Sequence, residues 1–178
     1  MKMNLYGEWF FRLKNNIKVY KNVLTESERK QLLKISKKYI KKIEVRQGPL
    51  VDVHPGLQSD NDIEIYLRSR GEGHLIDKIV QKAKLHKLKT NHRTFWFNYS
   101  DPSMDYINWH SHGPNTQIGL VYYLENPENL GTMFKIDGKE YQIKGQENSV
   151  IVFDTRIEHT FPNNVTLPRT SVAMDFCI

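Results

Sequence analysis

"GTMFKIDGKEYQIKGQENSVIVFD", residues 131–154, decides the fold. An Asp-Gly pair flanked by apolar residues is the strongest short-range hairpin signal, because both central residues of the tightest turns take positive φ. The stretch predicts two short strands folded about Asp137-Gly138, a turn at "KGQE", and then an apolar strand, "NSVIVFD". Further out, "HRTFWFNY" (92–99), "QIGLVYYLE" (117–125) and "RTSVAMDFCI" (169–178) are rich in β-branched and aromatic residues and also read as strands. Many short strands separated by turn residues predict a double-sheeted barrel or jelly roll.

The N-terminal half reads differently. "IKVYKNVL" (17–24) is a short strand. Thr25 and Glu28 then form a capping box, followed by Leu32, Ile35, Tyr39, Ile40 and Ile43 at helical spacing, so a helix runs to about Ile43. Residues 47–63 form a loop with two Pro-Gly-like breaks. "IEIYLR" (63–68) alternates like a strand, and "GEGHLIDKIVQKAKLHKL" (71–88) is a second helix. The expected class is α+β and mainly β. It would be one domain, 1–178, with 1–92 as helical and strand support and 93–178 as the barrel core.

Composition narrows the partners. The chain has 178 residues, 39% of them hydrophobic, enough to bury a core. No apolar run approaches the ~20 residues of a membrane span. Glu8 and Arg12 interrupt the N-terminal apolar stretch, which makes it a poor signal peptide. Cys177 is the single cysteine, which excludes an internal disulfide and fits a reducing, cytoplasmic setting. The formal net charge is +6, and "ERKQLLKISKKYIKKIEVR" carries much of the excess. Such a helix can face nucleic acid or be an ordinary solvated face. No nucleic-acid-binding motif accompanies it, which favours the second.

The chemistry-bearing residues centre on "DYINWHSHGP" (105–114). In an extended segment residues i and i+2 point the same way, so His110 and His112 share a face. Of the other histidines, His74 and His86 lie in the second helical segment, His92 precedes a strand, and His54 sits in a Pro-Gly loop. His159 follows "NSVIVFD" by the short turn "TRIE", a strand-end position from which it can meet His110 and His112 at a barrel mouth. A non-haem Fe(II) site needs imidazole and carboxylate ligands on one face with open positions. A pair without metal, on the surface or in the core, fits the same spacing. Arg169, ten positions after His159, begins the final strand. Projecting inward it would bind a carboxylate through two parallel hydrogen bonds; projecting outward it would make a surface ion pair. Phe95 and Phe97 read as core, and Trp109 as packing opposite His110.

These segments together resemble the Fe(II)/2-oxoglutarate-dependent dioxygenases, in their prolyl-hydroxylase-like branch. "KVYKNVLTESERKQLLKI" is similar to that branch's first strand and helix. "FNYSDPSMDYINWHSH" resembles its strand leading into a His-x-Asp motif, and "IGLVYYLENPENLGTMF" its YYL strand and Gly-x-x-Phe. "GQENSVIVFDTRIEHTFPN", followed by "PRTSVAMDF", resembles its distal histidine, basic residue and last strand. The resemblance implies a double-stranded β-helix, Fe(II), 2-oxoglutarate as cosubstrate, O2, and release of succinate and CO2. Carried onto this chain, His110 and His159 would ligate iron and Arg169 would bind 2-oxoglutarate, with Tyr99 and Tyr123 lining its pocket. The implied substrate is a peptidyl residue such as proline, or a small molecule. A nucleic-acid substrate is disfavoured because no second arginine follows Arg169.

One position departs from the pattern: His112 stands where the family has an aspartate ligand. Three readings follow: ligation by three histidines, a two-histidine site open to an exogenous anion, or a degenerate barrel that binds without catalysis. Side-chain direction favours ligation by His112. Asp154 and Glu158 are candidates to hold histidine N–H groups.

Overall fold

The computed structural model describes residues 17–42, 57–60, 63–103, 109–113, 116–162 and 164–178. In chain order these form β1 (Lys18–Lys21), α1 (Glu26–Tyr39), β2 (Lys41–Lys42), β3 (Leu57–Gln58), α2 (Ile63–Ser69) and α3 (Gly73–Lys82). The strands β4 (His92–Ser100), β5 (Ile118–Glu125), β6 (Met133–Ile136), β7 (Lys139–Gln142), β8 (Ser149–Asp154), β9 (Glu158–Thr160) and β10 (Arg169–Cys177) follow. They make two antiparallel sheets, a major one ordered β1-β8-β5-β10-β4-β3-β2 and a minor one ordered β7-β6-β9. This is a double-stranded β-helix, a jelly roll, with helices against the outer face of the major sheet.

The hairpin forms as its sequence dictates. Asp137 and Gly138 have φ of 51° and 74°, and Ile136 pairs with Lys139 across them. The Thr25 capping box is also present: the Thr25 hydroxyl accepts from the Glu28 N–H while the Glu28 carboxylate accepts from the Thr25 N–H.

Strands β5 and β10 are buried over nearly their whole length and β4 on its outer face, and residue parity divides them. Phe95 and Phe97, Ile118, Leu120, Tyr122 and Leu124, and Val172, Met174 and Phe176 pack outward onto Leu32, Leu67, Leu75, Ile76 and Ile79 of the helices. Alternate residues face the minor sheet, where Tyr123, Phe134, Ile151 and Phe153 form a second apolar cluster.

Three expectations are corrected. "IEIYLR" is helix α2, not a strand. Its buried residues are Ile63 and Leu67, spaced i, i+4, while Ile65 and Tyr66 are 67% and 56% exposed. Short apolar runs fit both periods, and here packing on α3 and β4 selects the helical one. Helix α1 ends at Tyr39 rather than near Ile43, because Ile40 turns extended (φ −70°, ψ 124°) and Lys41 and Lys42 pair with β3. Helix α3 ends at Lys82, before His86: Lys84 takes a positive φ and the Leu85 N–H returns to the Val80 carbonyl. His54 lies outside the described residues. Among the described residues no helix is long and apolar enough to cross a membrane.

Gly131 is where the loop after β5 meets the segment after β7. A Cβ there would lie 1.7 Å from the Ile143 carbonyl oxygen and 2.6 Å from the Gly145 nitrogen. Backbone atoms cannot swing aside as a side-chain tip can. Gly131→Ala is therefore expected to destabilise the chain by about 1–3 kcal/mol or more, read as a lowered midpoint in urea unfolding.

Candidate metal centre

His110 and His159 are joined by backbone before their side chains meet. The His110 N–H donates to the His159 carbonyl (3.1 Å) and the His159 N–H to the His110 carbonyl (2.9 Å). Two residues on, the His112 N–H donates to the Thr155 carbonyl at 3.0 Å. The H-x-H segment thus docks as extended chain beside β9, and the i, i+2 rule holds: the His110 and His112 rings are 16° from parallel with centroids 5.5 Å apart. The His159 ring lies 4.5 Å from His110 and 5.0 Å from His112. One ligand nitrogen from each of the three can be chosen so that all lie within 4.8 Å of one another.

The surroundings fix which nitrogen faces inward. His159 Nδ1 is 2.8 Å from the Ile157 carbonyl oxygen, and His112 Nδ1 is 2.8 Å from Asp175 Oδ2. A carbonyl or an ionised carboxylate can only accept, so in the neutral ring each Nδ1 carries the proton and Nε2 keeps its lone pair. Rings with a lone pair toward the centre and the other nitrogen held by an acceptor are what a divalent transition ion requires. The donor set therefore fits such an ion, with the third position an imidazole. Phe153 backs this cluster, its ring 4.8 Å from that of His159.

The rest of the cavity, about 130 Å³, lies between the sheets. Arg169 is 5% exposed, with its guanidinium carbon 4.7 Å from the Phe161 ring centroid and 5.6 Å from that of Tyr123. It donates a long hydrogen bond (3.4 Å) to the Leu130 carbonyl, and among the described residues no carboxylate forms an ion pair with it. Burial pushes its pKa down from the ordinary value, and Tyr123 and Glu128 pull it back up. A buried cation that no carboxylate contacts among the described residues is costly, and an anion entering the cavity would relieve that cost.

Tyr99 lies at the rim of the cavity. Tyr123 does not line it. Its side chain is fully buried, and its hydroxyl is occupied by the Thr132 N–H (2.8 Å) and hydroxyl (2.9 Å), so it supports Arg169 from behind. The partner for a histidine N–H is Asp175, not Asp154 or Glu158. Both Asp154 oxygens accept from the Arg156 guanidinium (2.9 and 2.6 Å), and Glu158 is exposed. His74 is exposed and bonds the Gly71 carbonyl. Sequence reasoning missed Asp175 and Trp96, whose buried indole N–H has no hydrogen-bond partner among the described residues and which lines the cavity. The signal was present: Asp175 shares strand parity with Arg169, and Trp96 with Asn98.

No protein-family model matches the sequence. No curated protein matches it either. Solved structures do. A prolyl-4-hydroxylase from Pseudomonas putida superposes with a TM-score of 0.65 at 15% identity, over 98% of this chain and 100% of the other. A prolyl hydroxylase from Trichoplax adhaerens, solved with a hypoxia-inducible-factor oxygen-degradation-domain peptide, gives 0.61 at 15% identity, over 99% and 94%. A non-haem α-ketoglutarate-dependent epimerase, SnoN from nogalamycin biosynthesis, gives 0.66 at 10% identity, over 96% and 81%. The chain has the fold of the 2-oxoglutarate/Fe(II) oxygenases, the prolyl hydroxylases among them.

Replacing Arg169 removes from the interior a charge that no carboxylate contacts among the described residues. Arg169→Met is expected to stabilise the ligand-free chain by on the order of 1 kcal/mol. A rise in thermal midpoint measured without 2-oxoglutarate checks this; a clear fall would mean that the guanidinium has a counter-ion.

Proposed function

We propose that this chain is an Fe(II)/2-oxoglutarate-dependent oxygenase of the cytoplasm. It would hydroxylate a peptidyl, prolyl-like residue or a small molecule while 2-oxoglutarate is converted to succinate. The observation that carries the reading is that three converging imidazoles and a buried arginine with no carboxylate partner among the described residues share one cavity. The fold of the neighbours supports it. Residues 93–178 would carry the site and 1–92 its support, in one domain.

His110, His112 and His159 would hold Fe(II), and Arg169 a carboxylate of 2-oxoglutarate, with Tyr99 at the mouth. When bound, the metal and the oxoacid supply O2-dependent oxidation, in which 2-oxoglutarate leaves as succinate and CO2. The chain's own residues contribute placement and dryness. Tyr123 and Phe161 set two aromatic rings against the buried guanidinium, and its burial strengthens its attraction for an anion. Ile157 and Asp175 hold two imidazoles as neutral donors.

A second reading, a barrel of the same fold that binds metal or ligand without catalysis, is favoured by one observation: the ligand set lacks a carboxylate. Succinate formation separates the two. Protein given Fe(II), 2-oxoglutarate and O2 is expected to release succinate even without its substrate. Anaerobic addition of 2-oxoglutarate to the Fe(II) protein should give a weak visible charge-transfer band. His159→Ala should lose both metal and band. Arg169→Met should keep metal but lose the band at 2-oxoglutarate concentrations that saturate the wild type. Metal binding with no band and no affinity for 2-oxoglutarate would leave only the binding barrel.

A further inference from the structure

We propose that Asp175 is the positioning residue for His112 and that the two act as one unit, returning to the site the negative charge that a histidine at 112 leaves out. This rests on the metal-binding reading above. Asp175 is on the cavity face of β10, opposite Thr94 on one side and Gly119 on the other, neither of which carries charge. Among the described residues it makes no ion pair with a lysine or arginine; its partner is His112 Nδ1 at 2.8 Å. A half-buried carboxylate lining a cavity is costly unless something compensates it. Here the compensation is a ring N–H whose other nitrogen faces the centre.

Two consequences follow. Asp175 fixes the His112 tautomer and ring orientation and makes Nε2 a stronger donor. It also restores the charge balance. Two imidazoles and one ligating carboxylate carry one negative charge. Three neutral imidazoles with a carboxylate hydrogen-bonded to one of them carry the same charge, moved one residue outward. Positions 112 and 175 are therefore coupled. Restoring aspartate at 112 alone would put a second acceptor-only group where the ring N–H now meets Asp175, so that hydrogen bond would be lost.

The test is a cycle of Zn(II) and Mn(II) affinities by calorimetry, combined with the His112 tautomer read by long-range proton–nitrogen NMR on the metal-free chain. Wild-type His112 should be protonated at Nδ1, and Asp175→Asn should relax this to a mixture. Asp175→Asn should weaken metal binding about 10- to 100-fold, but should change affinity little in a His112→Ala background, because its effect passes through the ring. His112→Asp should bind metal more weakly than the double variant His112→Asp, Asp175→Asn. Equal losses from Asp175→Asn in both backgrounds would overturn the inference, as would a His112 ring that carries its only proton on Nε2 in the wild type. Tight metal binding unaffected by Asp175→Asn would sink the inference and leave the metal site standing. No metal binding by the wild type would sink the metal-site reading itself.

Discussion

A strand placed between two layers must bury both of its faces, and β10 is that strand. It lies between β5 and β4 at the centre of the major sheet and pairs with β4 along its whole length, from Arg169 opposite Ser100 to Cys177 opposite His92. Val172, Met174 and Phe176 face the helices; Arg169, Ser171, Ala173 and Asp175 face the cavity. A slip of one residue would drive a guanidinium and a carboxylate into the apolar core and turn Phe176 into the cavity. The hydrophobic pattern of the outer face therefore fixes the inner face as well, and with it the positions of both charged groups of the site.

Those two charges are six residues apart on one strand, about 20 Å by strand rise. At that separation they do little to neutralise each other in solvent. Each must find its own partner. Asp175 has the His112 ring; Arg169 has two aromatic faces and a carbonyl but no carboxylate among the described residues. The cavity is thereby polarised, with a guanidinium at one end and three imidazoles at the other.

The imidazoles are held mainly by backbone. Reciprocal N–H to carbonyl bonds clamp His110 to His159, and β9 is in turn paired to β6. The minor sheet can lie this close because Gly131 and Gly145 have no side chains at the point of approach, and Phe153 fits behind His159 because Gly119 has none. A Cβ on Gly119 would come within 2.8 Å of the Phe153 ring. The geometry of the site thus depends on small residues that carry no chemistry.

The sequence by itself determined what local rules govern. β-Branched and aromatic runs and the Asp137-Gly138 turn determined the strands from 92 onward except the short β9, the capping box determined the start of α1, and the i, i+2 spacing put His110 and His112 on one face. It misled at "IEIYLR", read as a strand but folded as helix, because six residues fit either period until neighbours choose which apolar side chains to bury. It could not choose between an inward and an outward Arg169, or give His112 its partner. Asp175 is 63 positions from His112 in the chain, and nothing local links them. Only the pairing of β10 with β4 and β5, and of the histidine segment with β9, brings that carboxylate to the ring. Hydrogen bonds between distant strands are set by sheet topology, and topology is decided by the burial of whole faces rather than by any short stretch.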